Sequence, residues 1–248
     1  MRYFLHLGYK GSEYHGWQVQ PNAISVQSVI ENALKIVLRR QIEIVGAGRT
    51  DAGVNAKSMY AHFDVDEEIC DKQKFLNSLN RLIGKDIAVY DLINVVNYAH
   101  ARFDALSRTY KYFVVHKKNP FLYPLTWQCH YLLNYEKMNE AAAILKEYTD
   151  FTSFSKLHTD VKTNDCKIYE AEWTKENDVY VFTIRANRFL RNMVRAIVGT
   201  LVEVGRGRME IEDFKNVILK KDRCAAGTSM PPQALYLWDV EYPQEIFK

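Results

Sequence analysis

The pattern that most restricts how this chain can fold is a series of strands and amphipathic helices that runs once to about residue 96 and then starts again. Residues 2–9 (RYFLHLGY) alternate apolar and polar side chains as a half-buried strand does, and the following GSEYHGWQVQPN is rich in turn formers. From Ser25, an N-cap residue type, Val26, Val29, Ile30, Ala33, Leu34 and Val37 recur at helical spacing and predict one helix to about Arg40. Strands follow at 42–46 and 59–64, a helix at 72–82 and a β-rich run at 86–96, in the order β-α-β-β-α-β. Beyond a short linker near Tyr98 to Asp104, the strict alternation of SRTYKYFVVHK (107–117) opens a second series. A helix at 135–148, a hairpin of 166–176 and 178–186 about Asn177-Asp178, helices at 188–204 and 210–221, and a strand at 235–242 complete it. The predicted class is α+β, with two similar β-and-α halves, 1–104 and 105–248, forming a mixed, largely antiparallel sheet with helices packed on it.

A chain of 248 residues has room for one large domain or two modest ones, and 48% apolar with 25% charged residues is ordinary for a folded protein. No apolar run approaches the roughly 18 residues of a spanning helix, and the N-terminus alternates like a strand rather than forming a signal peptide, so a cytoplasmic location is expected. Cys70, Cys129, Cys166 and Cys224 lie far apart and form no CxxC pair, which predicts reduced, mostly buried thiols rather than a zinc site or disulfide framework. The net charge of +3 does not by itself declare a nucleic-acid partner, but its distribution is uneven. Between Arg185 and Arg208 stand six arginines against one acid, Glu203. In the run 188–204, Leu190, Met193, Val194, Ile197, Val198, Leu201 and Val202 predict the buried face of a helix, with Arg188, Arg191 and Arg195 on an adjoining side.

The most unusual segment is Gly46-Ala47-Gly48-Arg49-Thr50-Asp51-Ala52-Gly53-Val54, a glycine-punctuated turn between strands that displays an arginine and a carboxylate two residues apart. Taken alone, such a turn is accounted for by Asp51 capping a nearby backbone amide. It is not a phosphate loop, since no Lys-Ser/Thr follows Gly53, and Asp51 stands where the dinucleotide fingerprint needs its third glycine.

The run GAGRTDAGV resembles the active-site motif of the TruA family of tRNA pseudouridine synthases, and further segments agree in order. Tyr14-His15-Gly16-Trp17-Gln18 resembles the family's early loop, and Ala101-Arg102-Phe103-Asp104 with Arg108-Thr109-Tyr110-Lys111-Tyr112 resembles its second motif. Asp150-Phe151-Thr152-Ser153-Phe154 and Arg191-Asn192-Met193-Val194-Arg195 with Val198-Gly199 resemble later ones. The similarity runs over nearly the whole chain, with one departure: the family usually places His after Gly-Val, where this chain has Asn55.

The resemblance implies the pseudouridine synthase fold with an active-site cleft between the halves. It also implies isomerisation of uridine to pseudouridine in the anticodon stem-loop of tRNA, on its 3′ side at tRNA positions 38–40. No cofactor or metal is expected, because no redox change or external group is involved. Asp51 would act at the anomeric carbon, either as a nucleophile or by removing a sugar proton to give a glycal. Tyr110 would stack on the uracil and assist proton removal at carbon 5. Arg195 would pair with Asp51 and keep it ionised. The target base must be flipped from its stack, and Arg49 resembles the family arginine that fills the vacated space. Arg188, Arg191, Arg206, Arg208, Lys117 and Lys118 are candidate phosphate contacts. The family works as a homodimer whose two subunits grip one tRNA; no membrane partner is expected.

Two rival readings remain at this level. One is a noncatalytic RNA-binding protein using the arginine-rich segment and strand aromatics. The other is a glycosidase-like hydrolase pairing Asp51 with Asp64 or Asp104.

Overall fold

The computed structural model describes residues 1–156 and 163–248. The chain divides into two compact units, one of Met1–Leu106 with Leu237–Lys248, the other of Ser107–Tyr236.

The first unit contains β1 (Arg2–Tyr9), α1 (Val26–Leu38), β2 (Val45–Gly46), β3 (Asn55–Asp64), α2 (Lys72–Leu82) and β4 (Ile87–Val95), the order that the sequence predicts. β1 lies between β3 and β4, antiparallel to both. This central place corrects the expectation of a half-buried strand: Phe4 and Leu5, on opposite faces of the pleat, are both fully buried, as are Tyr3 and Leu7. A buried side chain of this size contributes roughly 1.5–3 kcal/mol, so one strand anchors much of the unit. α1 begins at Ser25, whose Oγ accepts from Ser28 N at 3.1 Å while Ser28 Oγ accepts from Ser25 N at 3.2 Å. Such a reciprocal cap stabilises a helix by about 1 kcal/mol. The strand expected at 42–46 shrinks to the two residues of β2. Ile42 and Ile44 do bury alternately, but Ile44 N donates to the Glu31 carboxylate at 3.0 Å and Ile44 O accepts from Gln27 Nε2 at 3.1 Å. Side chains of α1 thus take the backbone groups that a sheet neighbour would have used.

The second unit contains β5 (Ser107–Val115), β6 (Trp127–Gln128), α3 (Tyr135–Ile144), β7 (Ile168–Glu176), β8 (Val179–Ala186), α4 (Met193–Gly205) and α5 (Ile211–Lys220). It also holds the first two residues of β9 (Leu235–Glu241), whose remainder belongs to the first unit beside β3. β8 lies antiparallel between β5 and β7, and β6 runs parallel to β5, so the pairing is mixed and largely antiparallel. Asn177 at φ 56 makes the tight hairpin of β7 and β8. α3 packs on β7, α4 and α5.

α4 starts five residues later than 188. Asn192 has φ 67, a left-handed conformation that a helix interior does not admit, and Asn187 Oδ1 accepts from Lys167 N (2.7 Å) and Arg188 N (2.9 Å). Arg188 and Arg191 therefore precede the helix, and of the three arginines expected on it only Arg195 is there. Cys129 and Cys166 are buried while Cys70 and Cys224 are exposed, so burial holds for two of four thiols. Among the described residues, no helix is long and apolar enough to cross a membrane.

Candidate active site

Asp51 sits on the connection from β2 to β3. Val45 and Gly46 pair with His62 and Ala61, Ala47 N donates to Tyr60 O at 2.7 Å, and then the ladder ends. The chain closes a turn, with Val54 N donating to Asp51 O at 3.1 Å and Gly53 at φ 78, and re-enters the sheet at Asn55. Thr50 and Val54 are buried, Arg49 and Ala52 exposed, and Asp51 half-buried between them. An exposed turn tip of this kind would be mobile if only its own bond held it. Here the Tyr14–Gln18 loop wraps it: Trp17 N donates to Thr50 O (3.3 Å) and Gly53 N donates to Tyr14 O (3.3 Å). The approach is close enough to require glycine. A Cβ on Gly16, which has φ +87, would stand 2.4 Å from Thr50 O, and one on Gly46 would stand 2.5 Å from the Trp17 ring. Asn55 points inward, 1% exposed, with Oδ1 accepting from Gly11 N at 2.9 Å, so its side chain is placed for structure and not for a surface contact with RNA.

Tyr110, in the second unit, faces Ile184 across the β5–β8 ladder and shares a strand face with Tyr112 and Val114. The three differ in burial: Tyr112 and Val114 are fully buried, whereas Tyr110 is half-exposed, with Phe189 edge-on at 5.0 Å. Tyr112 fills the core position that a strand tyrosine ordinarily takes. Its hydroxyl donates to Pro231 O at 3.1 Å, and burial drives its pKa strongly upward, against the opposing pull of the Arg195 charge. Arg195 is the half-exposed residue within the otherwise buried stretch Met193–Thr200. Its Nε donates to Met230 O at 2.6 Å, and Met230 N donates back to Arg195 O at 3.1 Å. The consecutive carbonyls of Met230 and Pro231 thus hold Arg195 of α4 and Tyr112 of β5, which brings Arg195 and the Tyr110 face of β5 into one neighbourhood of this unit.

The remaining arginines are not alike. Arg191 is exposed and Arg188 half-exposed on the segment before α4. Arg206 stacks on Tyr131 (3.8 Å to the ring centroid) and pairs with Glu203 at 3.1 Å, which Arg208 also approaches at 3.9 Å. Glu203, the one acid of the segment, is thus shared by both arginines beyond the end of α4 and answers part of their charge locally. Lys117 and Lys118 are exposed in their loop. The carboxylates proposed as hydrolase partners have structural occupations. Asp64 pairs with Arg2 at 2.7 Å, a hydrogen bond that holds its carboxyl below the usual range. Asp104 accepts from His100 N at 2.8 Å within its own turn. Among the described residues, no three or more His, Cys, Asp or Glu side chains gather as a metal site requires.

Tyr9, Tyr112, Phe189 and Met230 were not singled out by sequence. Phe189 had a signal, being the one aromatic in a run of arginines; Tyr9, whose hydroxyl lies 2.9 Å from Thr50 Oγ1, Tyr112 and Met230 meet these residues through contacts distant in sequence or through a main-chain carbonyl.

A profile of the family described as "tRNA pseudouridine synthase" matches residues 141–243. The tRNA pseudouridine synthase A of Parabacteroides distasonis is 61% identical over 246 residues, covering 99% of this chain and 98% of the relative. That of Bacteroides fragilis is 57% identical over 100% and 98%, and that of Bacillus pumilus 38% identical over 95% and 97% of the two chains. With identity of this order running from end to end, this chain belongs to the tRNA pseudouridine synthase A family.

Proposed function

We propose that the protein isomerises uridine to pseudouridine on the 3′ side of the anticodon stem-loop of tRNA, at positions 38–40, with Asp51 as the reacting carboxylate. The observation that carries this assignment is the Asp51 turn: a half-exposed carboxylate on a backbone held by the Tyr14–Gln18 loop from the side. Such an arrangement presents an oxygen to a sugar while fixing where it stands. The bond from the anomeric carbon to N1 of uracil breaks, the base turns over, and the anomeric carbon joins carbon 5. The proton on carbon 5 leaves and N1 gains one, so the reaction balances without a co-reactant. Asp51 takes part either by attacking the anomeric carbon or by removing a sugar proton.

Tyr110, half-exposed on its strand, stacks on the extruded uracil, and Arg195, held through its Nε by Met230 O, offers the rest of its guanidinium to the carboxylate. Arg49, exposed two residues before Asp51, fills the space left by the flipped base, with Arg188 and Arg191 at phosphates. The protein acts in the cytoplasm as a homodimer, which a net charge of only +3 per chain favours because two chains then share one tRNA. The names of the relatives favour this reading over a noncatalytic RNA-binding protein, and the engaged state of Asp64 and Asp104 weighs against a hydrolase.

The test is pseudouridine mapping of tRNA from cells with and without the protein, alongside purified Asp51→Ala and Asp51→Asn. The expected outcome is loss of the modification in the absence of the protein. Both variants should fold, bind tRNA within a few-fold of the parent and form no pseudouridine. An Asp51→Ala rate within tenfold of the parent would refute the assignment, and release of free uracil would indicate hydrolysis instead.

A further inference from the structure

We infer that Tyr9 and Asn55 are positioning residues for Asp51, pinning both ends of its turn to one three-residue stretch at the end of β1. This rests on Asp51 being the reacting carboxylate. Tyr9 Oη shares a buried hydrogen bond of 2.9 Å with Thr50 Oγ1, on the residue immediately before Asp51. Gly11 N donates to Asn55 Oδ1 at 2.9 Å, also buried, on the first residue of β3. Between these two bonds the chains touch directly. A Cβ on Gly11 would stand 2.2 Å from Val54 O, so the main chain of Gly11 lies hard against the residue that closes the turn. Residues 51–54 thus form an arc whose two ends are tied to Tyr9 and Gly11, and Tyr9 is itself registered opposite Ala56 in the β1–β3 ladder.

Tyr9 is 5% exposed and Asn55 1%, so neither side chain is placed to touch a substrate, and any influence on the reaction passes through the position of the turn. The two bonds complement those of the Tyr14–Gln18 loop, which reach the turn from the side, at Thr50 O and Gly53 N. Without these ties the turn keeps its ends in β2 and β3 and its bonds to the Tyr14–Gln18 loop, but loses the side-chain anchors that fix its arc against the end of β1. A misplacement of about 1 Å at a reacting group costs on the order of a hundredfold in rate.

The variants are Tyr9→Phe, which deletes one oxygen and keeps the ring, and Asn55→Leu, which keeps the branching at Cγ and removes the acceptor. Asn55→His serves as the conservative replacement, because imidazole Nδ1 occupies the same place along the side chain as Asn Oδ1 and accepts a hydrogen bond when neutral. Each is measured for thermal unfolding, for tRNA affinity, and for the single-turnover rate of pseudouridine formation at saturating enzyme. The expected result is a rate lowered about tenfold or more in Tyr9→Phe and Asn55→Leu, with Kd within threefold of the parent, and most of the lost rate recovered in Asn55→His. If Asn55→Leu does not fold, Tyr9→Phe alone decides, since its shape is unchanged. Parent-like rates in Tyr9→Phe and Asn55→Leu overturn the inference, as does a loss that appears in Kd or vanishes on cooling below the variant's unfolding transition. No recovery in Asn55→His removes Asn55 from it. A parent protein that makes no pseudouridine defeats the proposed function itself, and this inference with it.

Discussion

Replacing Gly199 by Ala should damage the second unit far more than a single methyl group suggests. Gly199 lies in α4, and a Cβ built there would stand 1.8 Å from Thr228 O and 3.0 Å from the Thr228 carbonyl carbon. The obstacle is main chain, not the end of a flexible side chain, so α4 and the 226–230 segment must separate by more than 1 Å before an ordinary contact is reached. Two interactions depend on their present spacing: Gly227 N donating to Thr200 Oγ1 at 2.9 Å, and Arg195 Nε donating to Met230 O at 2.6 Å. Overpacking a filled interior costs about 1–3 kcal/mol. Loss of a hydrogen bond from a charged donor adds about 1.5–3 kcal/mol. A total of roughly 3 kcal/mol or more corresponds to a Tm drop of about 6–12 °C in a chain of this size. The assay is thermal unfolding beside Gly84→Ala, where a Cβ meets nothing within 4 Å. The same preparation should show a reduced single-turnover rate, because Arg195 loses the carbonyl that fixes it. A Gly199→Ala protein melting within about 2 °C of the parent would refute the reasoning, since the contact at Thr228 would then be too soft to matter.

Arg49→Ala and Arg195→Ala should fail differently: under the proposed role of exposed Arg49 in base extrusion, a fragment with an unpaired target uridine should rescue its variant, while the variant of Arg195, fixed by Met230, should stay slow on either substrate. Single-turnover rates on intact tRNA and on the fragment decide, and equal rescue of both or neither would remove the distinction. His62 gives a pH dependence of stability. Burial, then the charges of Arg2 and His100, push its pKa down to about 4 against a partly opposing pull from Asp64 and Asp104, and its Nδ1 accepts from Ala101 N at 3.1 Å. A folded pKa below the unfolded 6.5 means that the unfolded state takes up the proton first, so the stability held above pH 6.5 is lost as pH falls toward 4. The loss is of order 3 kcal/mol, and His62→Asn, which keeps an acceptor at the same place, should flatten that window in urea unfolding. An unchanged pH profile in the variant would show that other groups carry it.

The elements that periodicity announces are those whose hydrogen bonds stay local or pair in a regular ladder. α1 starts at its Ser25 cap, and the β7–β8 hairpin turns where Asn177 adopts positive φ, because cap and turn chemistry reside in the residues themselves. The misjudged elements are those where a side chain from elsewhere intervenes or a residue's own backbone breaks the run. Residues 42–46 alternate in burial as a strand does, yet Glu31 and Gln27 take both backbone groups of Ile44, and only Val45 and Gly46 pair with β3. The apolar spacing of 188–204 runs smoothly through Asn192, but that residue's left-handed backbone delays the helix and leaves Arg188 and Arg191 off it. A periodic pattern does not report where the main chain finds its partners, and at β1, central in its sheet, it does not report that both faces are covered.

The same division holds at the site, where it has a consequence for substitution. Asp51, Tyr110 and Arg195 each have an ordinary structural explanation when taken alone, and it is the ordered set of motifs resembling one family, not the residues' settings, that proposes them as a site. Tyr9, Met230 and Tyr112 carry no such signal, because their hydrogen bonds to Thr50, Arg195 and Pro231 join segments far apart in the chain, and Asn55 stands out only as a departure from a motif, not through its bond to Gly11. An aiming residue needs only an atom of the right polarity at the right place, so its identity is less constrained than its geometry. At Asn55 the proposal therefore expects amide Oδ1 and imidazole Nδ1 to be interchangeable, since both can present an acceptor to the Gly11 amide that now donates at 2.9 Å. By the same reasoning Thr50 should tolerate Ser, which keeps the hydroxyl that meets Tyr9, far better than Val, which keeps only the shape.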